Sequence, residues 1–173
     1  MRKIDKFGFK LDDMEATPYF EVTSNYRIRF LMDTFENNIN LLKNVLTDTL
    51  KNGQTIDTTF ISGYIRNKKR YREYIGIGEF IKITNWRETI VKEEEHDVIY
   101  STITDVNISD VNKYCQKVAN GYREAFIMFY NDDFLIYVSS DVLDIISYES
   151  GLISNLKQKY SSEYNTFYEH EVY

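Results

Sequence analysis

Two apolar runs joined by a short polar turn constrain the fold of this chain more than any other feature of its sequence. The runs are AFIMFY at residues 125–130 and FLIYVSS at residues 134–140, and an Asn-Asp-Asp triplet at 131–133 lies between them. Asn and Asp favour turns because their side chains hydrogen-bond to nearby backbone groups. The pattern predicts a β-hairpin, and we expect VLDII at residues 142–146 to extend its second strand past an irregularity.

Several other stretches are rich in β-branched and aromatic residues, which favour strands. The strands that this composition predicts are residues 25–32, 55–65, 98–106 and, more weakly, 79–84. In the first of them, Arg27 and Arg29 alternate with apolar residues. Alternate residues of a strand point to opposite faces of a sheet, so we expect both arginines to face water or a partner.

Apolar residues spaced three and four positions apart predict three helices. The first occupies residues 35–52 and is followed by Gly53, which suits a left-handed cap. The second begins at a Ser109 cap and is closed by Gly121. Its apolar face is formed by Val111, Tyr114, Cys115 and Val118. The third is C-terminal and should cover the sheet with the face Leu152, Leu156, Tyr160, Tyr164 and Phe167.

These elements predict an α+β fold, in which a mostly antiparallel sheet packs against about three helices in the order β-α-β-β-β-α-β-β-α. A chain of 173 residues fits a single domain, which we assign to residues 1–173. The composition changes over residues 85–97, from Trp86 to the acidic run VKEEEHD, and this is the candidate for an internal junction. The stretch lacks the Gly, Ser and Pro of a linker, so we interpret it as a loop.

Charge and cysteine content indicate the compartment and the partner. The net charge is −6, which disfavours general binding to duplex nucleic acid and favours a basic partner. The single cysteine, Cys115, cannot form an internal disulfide and suits a reducing compartment. The first residues lack the pattern of a signal peptide, and the longest apolar run is too short to span a bilayer. We therefore expect a cytoplasmic protein.

Few residues have the chemistry of a catalytic centre. The chain has two histidines, His96 and His170, and Cys115 lies on the apolar stripe of its helix, where we expect it to be buried. A metal-dependent hydrolase would need Glu93, Glu95, His96 and Asp132 to meet in space. The simpler interpretation is a solvated acidic loop and a polar turn. The Ile-Gly-Ile-Gly run at 75–78 lacks the remaining residues of a phosphate-binding loop, and we predict no cofactor.

A basic segment offers the best argument for nucleic-acid binding. Cations and an aromatic ring that could grip phosphates and stack on bases occur together in seven residues: Arg66, Lys68, Lys69, Arg70, Tyr71 and Arg72. Basic connections between strands are also common as solvated edge protection. We keep an accessory nucleic-acid-binding protein as an alternative function.

Several stretches follow one another in a characteristic order: RIRF near the start, the basic connection, STITDVNISDVNKYCQKVAN, AFIMFYNDDFLIY, LDII at 143–146 and LKQKYSSEYN. In these stretches and in the order of its elements, the chain resembles an uncharacterised bacterial family, the domain of unknown function 3885. Family members usually have an acidic pair followed by Arg and Gly before LDII, whereas this chain has Val-Ser-Ser-Asp-Val at 138–142. The resemblance implies an intracellular bacterial accessory protein and, by analogy, one of the small immunity proteins that neutralise toxins.

The leading hypothesis is a non-enzymatic, protein-binding module, and possible roles include an immunity protein that occludes a basic toxin. The acidic net charge and the small number of catalytic residue types support this hypothesis. The 15 Tyr and 11 Phe support it as well, because aromatic rings bury large areas at interfaces. The candidate contact residues are Arg27, Arg29, Tyr64, Tyr160, Tyr164 and Tyr168.

Overall fold

A computed structural model describes residues 3–8, 10–11, 17–123 and 125–170. Its strands are β1 Arg27–Leu31, β2 Ile56–Arg66, β3 Lys69–Arg72, β4 Arg87–Val91, β5 Asp97–Val106, β6 Ile127–Tyr130, β7 Leu135–Val138 and β8 Val142–Ile146. Its helices are α1 Met32–Glu36, α2 Ile39–Thr49, α3 Ile108–Ala119 and α4 Leu152–Lys159. The predicted α+β class and the mostly antiparallel sheet are confirmed.

The sheet has the strand order β1-β8-β7-β6-β2-β5-β4, and every strand pair is antiparallel. β2 is long enough to pair with two strands along one edge, with β6 near its start and β3 near its end. The hairpin predicted from the apolar runs is confirmed as β6 and β7. Residues 142–146 do not prolong β7 but turn back as β8, which pairs with both β7 and β1.

Both faces of the sheet are covered. The four helices pack on one face over a core that includes Phe30, Leu42 and Phe129. Short 3-10 helices near the N-terminus cover the other face, where Ile4 and Phe7 pack in a second apolar cluster. A sheet that is buried on both sides explains why β6 and β7 are apolar at successive positions and do not alternate.

Several predicted boundaries were wrong. The helix expected over 35–52 is divided at Asn37 and Asn38, because the Asn38 side chain accepts a hydrogen bond from the Leu41 backbone and begins α2. Asn107, not Ser109, precedes the first turn of α3. The C-terminal helix ends at Lys159 and gives way to turns.

The strand expected around 79–84 is also absent. Residue 79 ends a 3-10 helix, Ile77–Glu79, and residues 80–84 run irregularly, with Ile81 buried in the core. The strand lies later, as β4, within the stretch that we interpreted as a loop. β4 pairs with β5 over five residues, so residues 87–91 belong to the same sheet as the rest of the chain.

Arg27 and Arg29 do not face water, which corrects the prediction for β1. Their exposed fractions are 1% and 6%, because the face of β1 opposite the helices is covered by Tyr19 and Tyr168. Arg27 donates to the backbone oxygens of both tyrosines at 2.8 and 3.0 Å. These arginines therefore tie the two terminal segments to the sheet, and their burial removes them from any exposed contact surface.

Arg29 is held by a buried carboxylate on the neighbouring strand, β8. It stands opposite Asp144 of β8 and donates to its two oxygens at 2.7 and 2.8 Å. Burial raises the pKa of Asp144 to about 6, and the hydrogen bonds from Arg29 oppose that rise. The carboxylate is therefore ionised at neutral pH, where it compensates the buried guanidinium.

Candidate interaction site at the β3–β4 end of the sheet

The basic segment folds as the tip of the β2–β3 hairpin. Arg66 pairs with Lys69 across the hairpin, and the two turn residues, Asn67 and Lys68, have φ of 49° and 63°. Positive φ at both central positions is what a type I′ turn requires, and this turn matches the twist of the flanking strands. A type I′ turn without Gly is hard to recognise from sequence. The sequence therefore predicts a basic connection here but not the tight turn of a hairpin.

The five cations of the hairpin are divided between two faces. Arg70 and Arg72 line a groove with side chains of the helix-side core. Arg66 and Lys69 point to the opposite face, since alternate strand residues do so, and Lys68 lies in the turn. The segment therefore does not present five charges to one ligand.

Two of these cations already have partners within the protein. Arg70 forms an ion pair with Glu88 of β4, and this contact lowers the pKa of the Glu88 carboxyl. The guanidinium of Arg66 lies over the ring of Tyr64, with its carbon 5.6 Å from the ring centre. The hairpin is thus partly neutralised.

An acidic loop lies beside the basic hairpin. Asp97, which follows the run Glu93–Glu95, pairs with Ile65 near the end of β2. The ring of His96 contacts the ring of Tyr64, with their centres 5.1 Å apart. The β3–β4 end of the sheet therefore carries both signs of charge, which disfavours a polyanion such as RNA. Nucleic-acid binding through the basic segment stays a prediction.

The same end of the sheet holds most of the exposed apolar surface. Nine large hydrophobic side chains are exposed in the described ranges, and five of them lie within residues 71–90. We call these five the 71–90 surface: Tyr71, Tyr74, Ile83, Trp86 and Ile90. Their exposed fractions run from 42% for Ile83 to 69% for Tyr74. They lie at one end of the sheet but not all on one face, because strand alternation puts Tyr71 on the face opposite to Arg70 and Arg72, which line a groove with Trp86. Sequence reasoning missed this surface, although a lone Trp in a stretch without apolar periodicity is a usable signal.

The other predicted contact residues do not gather around this surface. Tyr160 is buried against Phe30 and donates to Asp48, and Tyr168 packs near β1. Tyr164 is half-buried and follows α4. β1 lies four strand positions from β2, which carries Tyr64, and this corresponds to about 19 Å. Tyr64 alone of the predicted set lies at the β3–β4 end.

The residues of the alternative hydrolase hypothesis lie at opposite ends of the sheet, so the meeting that this hypothesis requires does not occur. Glu93, Glu95 and His96 precede β5 and lie beside the end of β2. Asp132 follows β6, lies beside the start of β2 and forms an ion pair with Lys6. On β2, Asp57 pairs with Tyr130, just before Asp132, and Ile65 pairs with Asp97, just after His96. The eight residue steps from Asp57 to Ile65 separate the two groups by about 26 Å. Within the described part of the chain, no three His, Cys, Asp or Glu residues are placed to hold a metal ion.

Cys115 is fully buried on α3, as the apolar stripe predicts. Burial raises the pKa of its thiol to about 12, so the thiolate that nucleophilic chemistry needs is not formed at neutral pH. The predicted structural role of this cysteine is therefore supported by its environment.

Comparisons with protein-family models, with curated proteins and with solved structures each found no match. The resemblance to the domain of unknown function 3885 therefore stays a prediction. None of the helices in the described ranges has both the length and the apolar character that a membrane span needs.

Gly63 determines how closely β2 and β3 approach. A Cβ atom at this position would lie 2.3 Å from the backbone oxygen of Tyr71. Because a backbone atom cannot move without the strand, we expect Gly63→Ala to displace β3 and to cost about 1–3 kcal/mol. The amide protons of β3 should then exchange faster with solvent, as measured by hydrogen–deuterium exchange.

Gly78→Ala is the matched control for this prediction. Its added Cβ would meet only the end of the Ile83 side chain at 3.6 Å, so neither stability nor exchange in β3 should change. Equal exchange rates for β3 in the two variants would show that the contact at Gly63 does not position the hairpin.

Proposed function

We propose that this chain is a non-enzymatic, protein-binding module that docks through the 71–90 surface. The observation that carries the proposal is the concentration of five of the nine exposed large hydrophobic side chains in one stretch. Scattered apolar residues are ordinary on a protein surface, whereas a cluster with polar surroundings is typical of interaction sites. Tyr and Trp, which supply three of the five, are also the residues most enriched at binding hot spots.

The net charge of the whole chain, −6, favours a basic protein as the partner. The acidic loop at 93–95 and the basic hairpin both lie at the β3–β4 end of the sheet, so this preference comes from the chain as a whole. Long-range attraction would accelerate association with a basic surface, and the exposed aromatic rings would then be buried at the contact. An interface of ordinary size buries about 1,600 Å² in total, which is enough to occlude an active site.

The finer form of this proposal is a cytoplasmic immunity protein that neutralises a basic toxin by occlusion. Its test is co-expression of the chain with the toxic product of a neighbouring gene. Protection of the cells by the wild-type chain and its loss in a Trp86 variant are the expected results. Growth arrest despite wild-type co-expression would contradict the immunity role.

Trp86→Ala tests docking directly. Against a purified basic protein encoded beside this chain, we expect titration calorimetry to show at least about a tenfold loss of affinity, the cost of truncating a hot-spot aromatic residue. Phe167→Ala is the control, because Phe167 is 73% exposed but follows α4, away from the 71–90 surface. Equal losses in the two variants would place the contact elsewhere.

A nucleic-acid partner is the competing outcome. If wild-type protein were retained on RNA, and replacement of the hairpin cations by Ser abolished that retention while protein binding remained undetectable, the proposal would be overturned. Salt dependence separates the two cases further, because binding to a polyanion weakens steeply as the salt concentration rises.

A further inference from the structure

β4 is the last strand at one end of the sheet, and no described segment pairs with its outer edge. Within the ranges that the structure describes, the backbone groups of residues 87–91 hydrogen-bond only to β5. A strand in an antiparallel sheet directs the N–H and C=O groups of alternate residues to opposite sides. β4 therefore presents a row of free backbone groups to solvent, which is a template for a further strand.

The opposite edge of the sheet is closed by the chain itself. β1 pairs with β8, and on its outer side the backbone oxygen of Arg29 accepts a hydrogen bond from the Asn165 N–H at 2.8 Å. β4 also lacks two features that commonly protect an open edge, since it contains no Pro and pairs with β5 without a bulge. Of its two charged residues, Glu88 is paired with Arg70, and Arg87 lies at the first position. One edge of the sheet is thus available for pairing.

Two exposed apolar side chains lie along this edge and on one face of it. Trp86 lines a groove together with Glu88, and Ile90 follows Glu88 by two positions, so alternation places Ile90 on the same face. Trp86 is 48% exposed and Ile90 is 52% exposed. The next residue, Val91, points to the other face and is buried in the second apolar cluster. A strand added beside β4 would cover both exposed side chains.

We propose that β4 pairs with β4 of a second copy of this chain, antiparallel and about a two-fold axis, so that the two sheets become one. In such a pair, residues whose backbone groups point outward must face each other, so the register is centred on a residue. Centring on Glu88 would oppose two carboxylates, and centring on Ile90 would pair only three of the five residues. Centring on Thr89 pairs all five. This inference goes beyond the docking role proposed above, which needs a different protein.

The strand pairs of this register are compatible with one another. Thr89 faces Thr89 of the second copy, and pairs of Thr residues hydrogen-bond across strands. Arg87 faces Val91 of the second copy, and Glu88 faces its Ile90. No like charges stand directly opposite each other. The covered edge of β1 takes no part, so the pairing closes at two copies and does not continue into a filament.

Diagonal neighbours add apolar contact and charge complementarity. Ile90 has Ile90 and Trp86 of the second copy as diagonal neighbours, which are within reach of large side chains. Glu88 has Lys92 of the second copy in the same relation. The two Glu88 carboxylates are diagonal neighbours as well, but each is already paired with its own Arg70. The side chains that are exposed on one copy are therefore covered by matching groups of the other.

Sedimentation velocity of the full chain tests the pairing, at about 0.15 M salt to screen repulsion between two acidic copies. A five-residue edge is a small interface, so we expect a reversible monomer–dimer equilibrium with a dissociation constant between about 1 µM and 1 mM. The outward amides of β4 should exchange more slowly as the concentration rises, whereas those of β1 should not change. A monomer at every concentration up to about 1 mM, or a dimer whose β4 amides gain no protection, would overturn the proposal.

Variants at Ile90 test the register. Ile90→Glu opposes a carboxylate to Glu88 of the second copy, twice in each dimer, and should weaken dimerisation at least about tenfold. Ile90→Lys loses the same apolar contact but opposes an ammonium group to Glu88, so it should weaken dimerisation less. Leu31→Glu, at a 41% exposed position of β1, is the control and should change nothing.

The variants can each contradict the pairing. Wild-type dimerisation of Ile90→Glu, or an equal loss in Leu31→Glu, would show that β4 is not the contact. A dimer of Ile90→Lys no stronger than that of Ile90→Glu would exclude the register centred on Thr89. Because only this chain is present in the experiment, failure here leaves the docking proposal intact.

Discussion

Asp144→Ala is expected to lower the free energy of unfolding by about 3–5 kcal/mol, the usual cost of removing one partner from a buried ion pair. The variant leaves the guanidinium of Arg29 buried, with an exposed fraction of 6%, and without the two hydrogen bonds that Asp144 accepts. Urea unfolding monitored by circular dichroism measures the effect.

Two further variants separate the charge from the packing. Asp141→Ala changes an exposed carboxylate immediately before β8, and we expect its effect on unfolding to stay within about 0.5 kcal/mol. The double variant Arg29→Met with Asp144→Leu removes both charges, and it should be more stable than Asp144→Ala alone. A double variant that is less stable than the single one would show that the pair's hydrogen bonds matter more than the uncompensated charge.

Stability is expected to fall steeply as the pH rises from about 9 to about 12. Burial raises the pKa of Cys115 from 9.0 to about 12 and that of both Tyr19 and Tyr100 from 10.0 to about 12. Each group keeps its proton longer in the folded state than in the unfolded state. The stability that this difference contributes is complete below the unfolded pKa and is lost as the pH approaches the folded pKa.

Tyr100→Phe tests the alkaline effect at one residue. The variant has no phenol to ionise at this position, so its free energy of unfolding should decline less steeply with pH than that of the wild type. Urea unfolding at a series of alkaline pH values provides the comparison, and Tyr71→Phe, at an exposed position, is the control. If the wild type and Tyr100→Phe lose stability in parallel, burial of this phenol does not account for the alkaline sensitivity.

Elements with strong local signals were predictable. The β6–β7 hairpin follows from two apolar runs and an Asx-rich turn, and in the structure the Asn131 side chain accepts hydrogen bonds from the Asp133 and Phe134 backbones. The α3 stripe follows from helical spacing, and Val111 and Cys115 are fully buried as expected. In each case, residues close in the chain supply the deciding interactions.

The environment of β1 was not predictable from local pattern. Alternation identified the strand correctly, but it assigned Arg27 and Arg29 to a face open to water or a partner, because it assumed that only one face of the sheet is covered. The N-terminal segment and the residues after α4 cover the second face of β1. The partner of Arg29 is Asp144, which lies 115 residues away in sequence.

In the candidate site, too, the sequence predicted some features and only the tertiary structure decided the others. Composition identified five cations within residues 66–72, and it identified the acidic run at 93–95. Only strand register places Arg70 and Arg72 on one face with Trp86, and only the pairing of β3 with β2 and of β4 with β5 puts β3 and β4 on either side of a groove. Exposure of the 71–90 surface likewise depends on which distant segments pack over these residues.

The amino-acid sequence by itself determined the fold class, the central hairpin, the apolar face of α3 and the scarcity of catalytic residue types, because periodicity, turn chemistry and composition act over a few residues. The tertiary structure decided which charges are buried, which are paired and which face the groove. Those outcomes depend on contacts between segments distant in the chain, whose energies no local pattern contains.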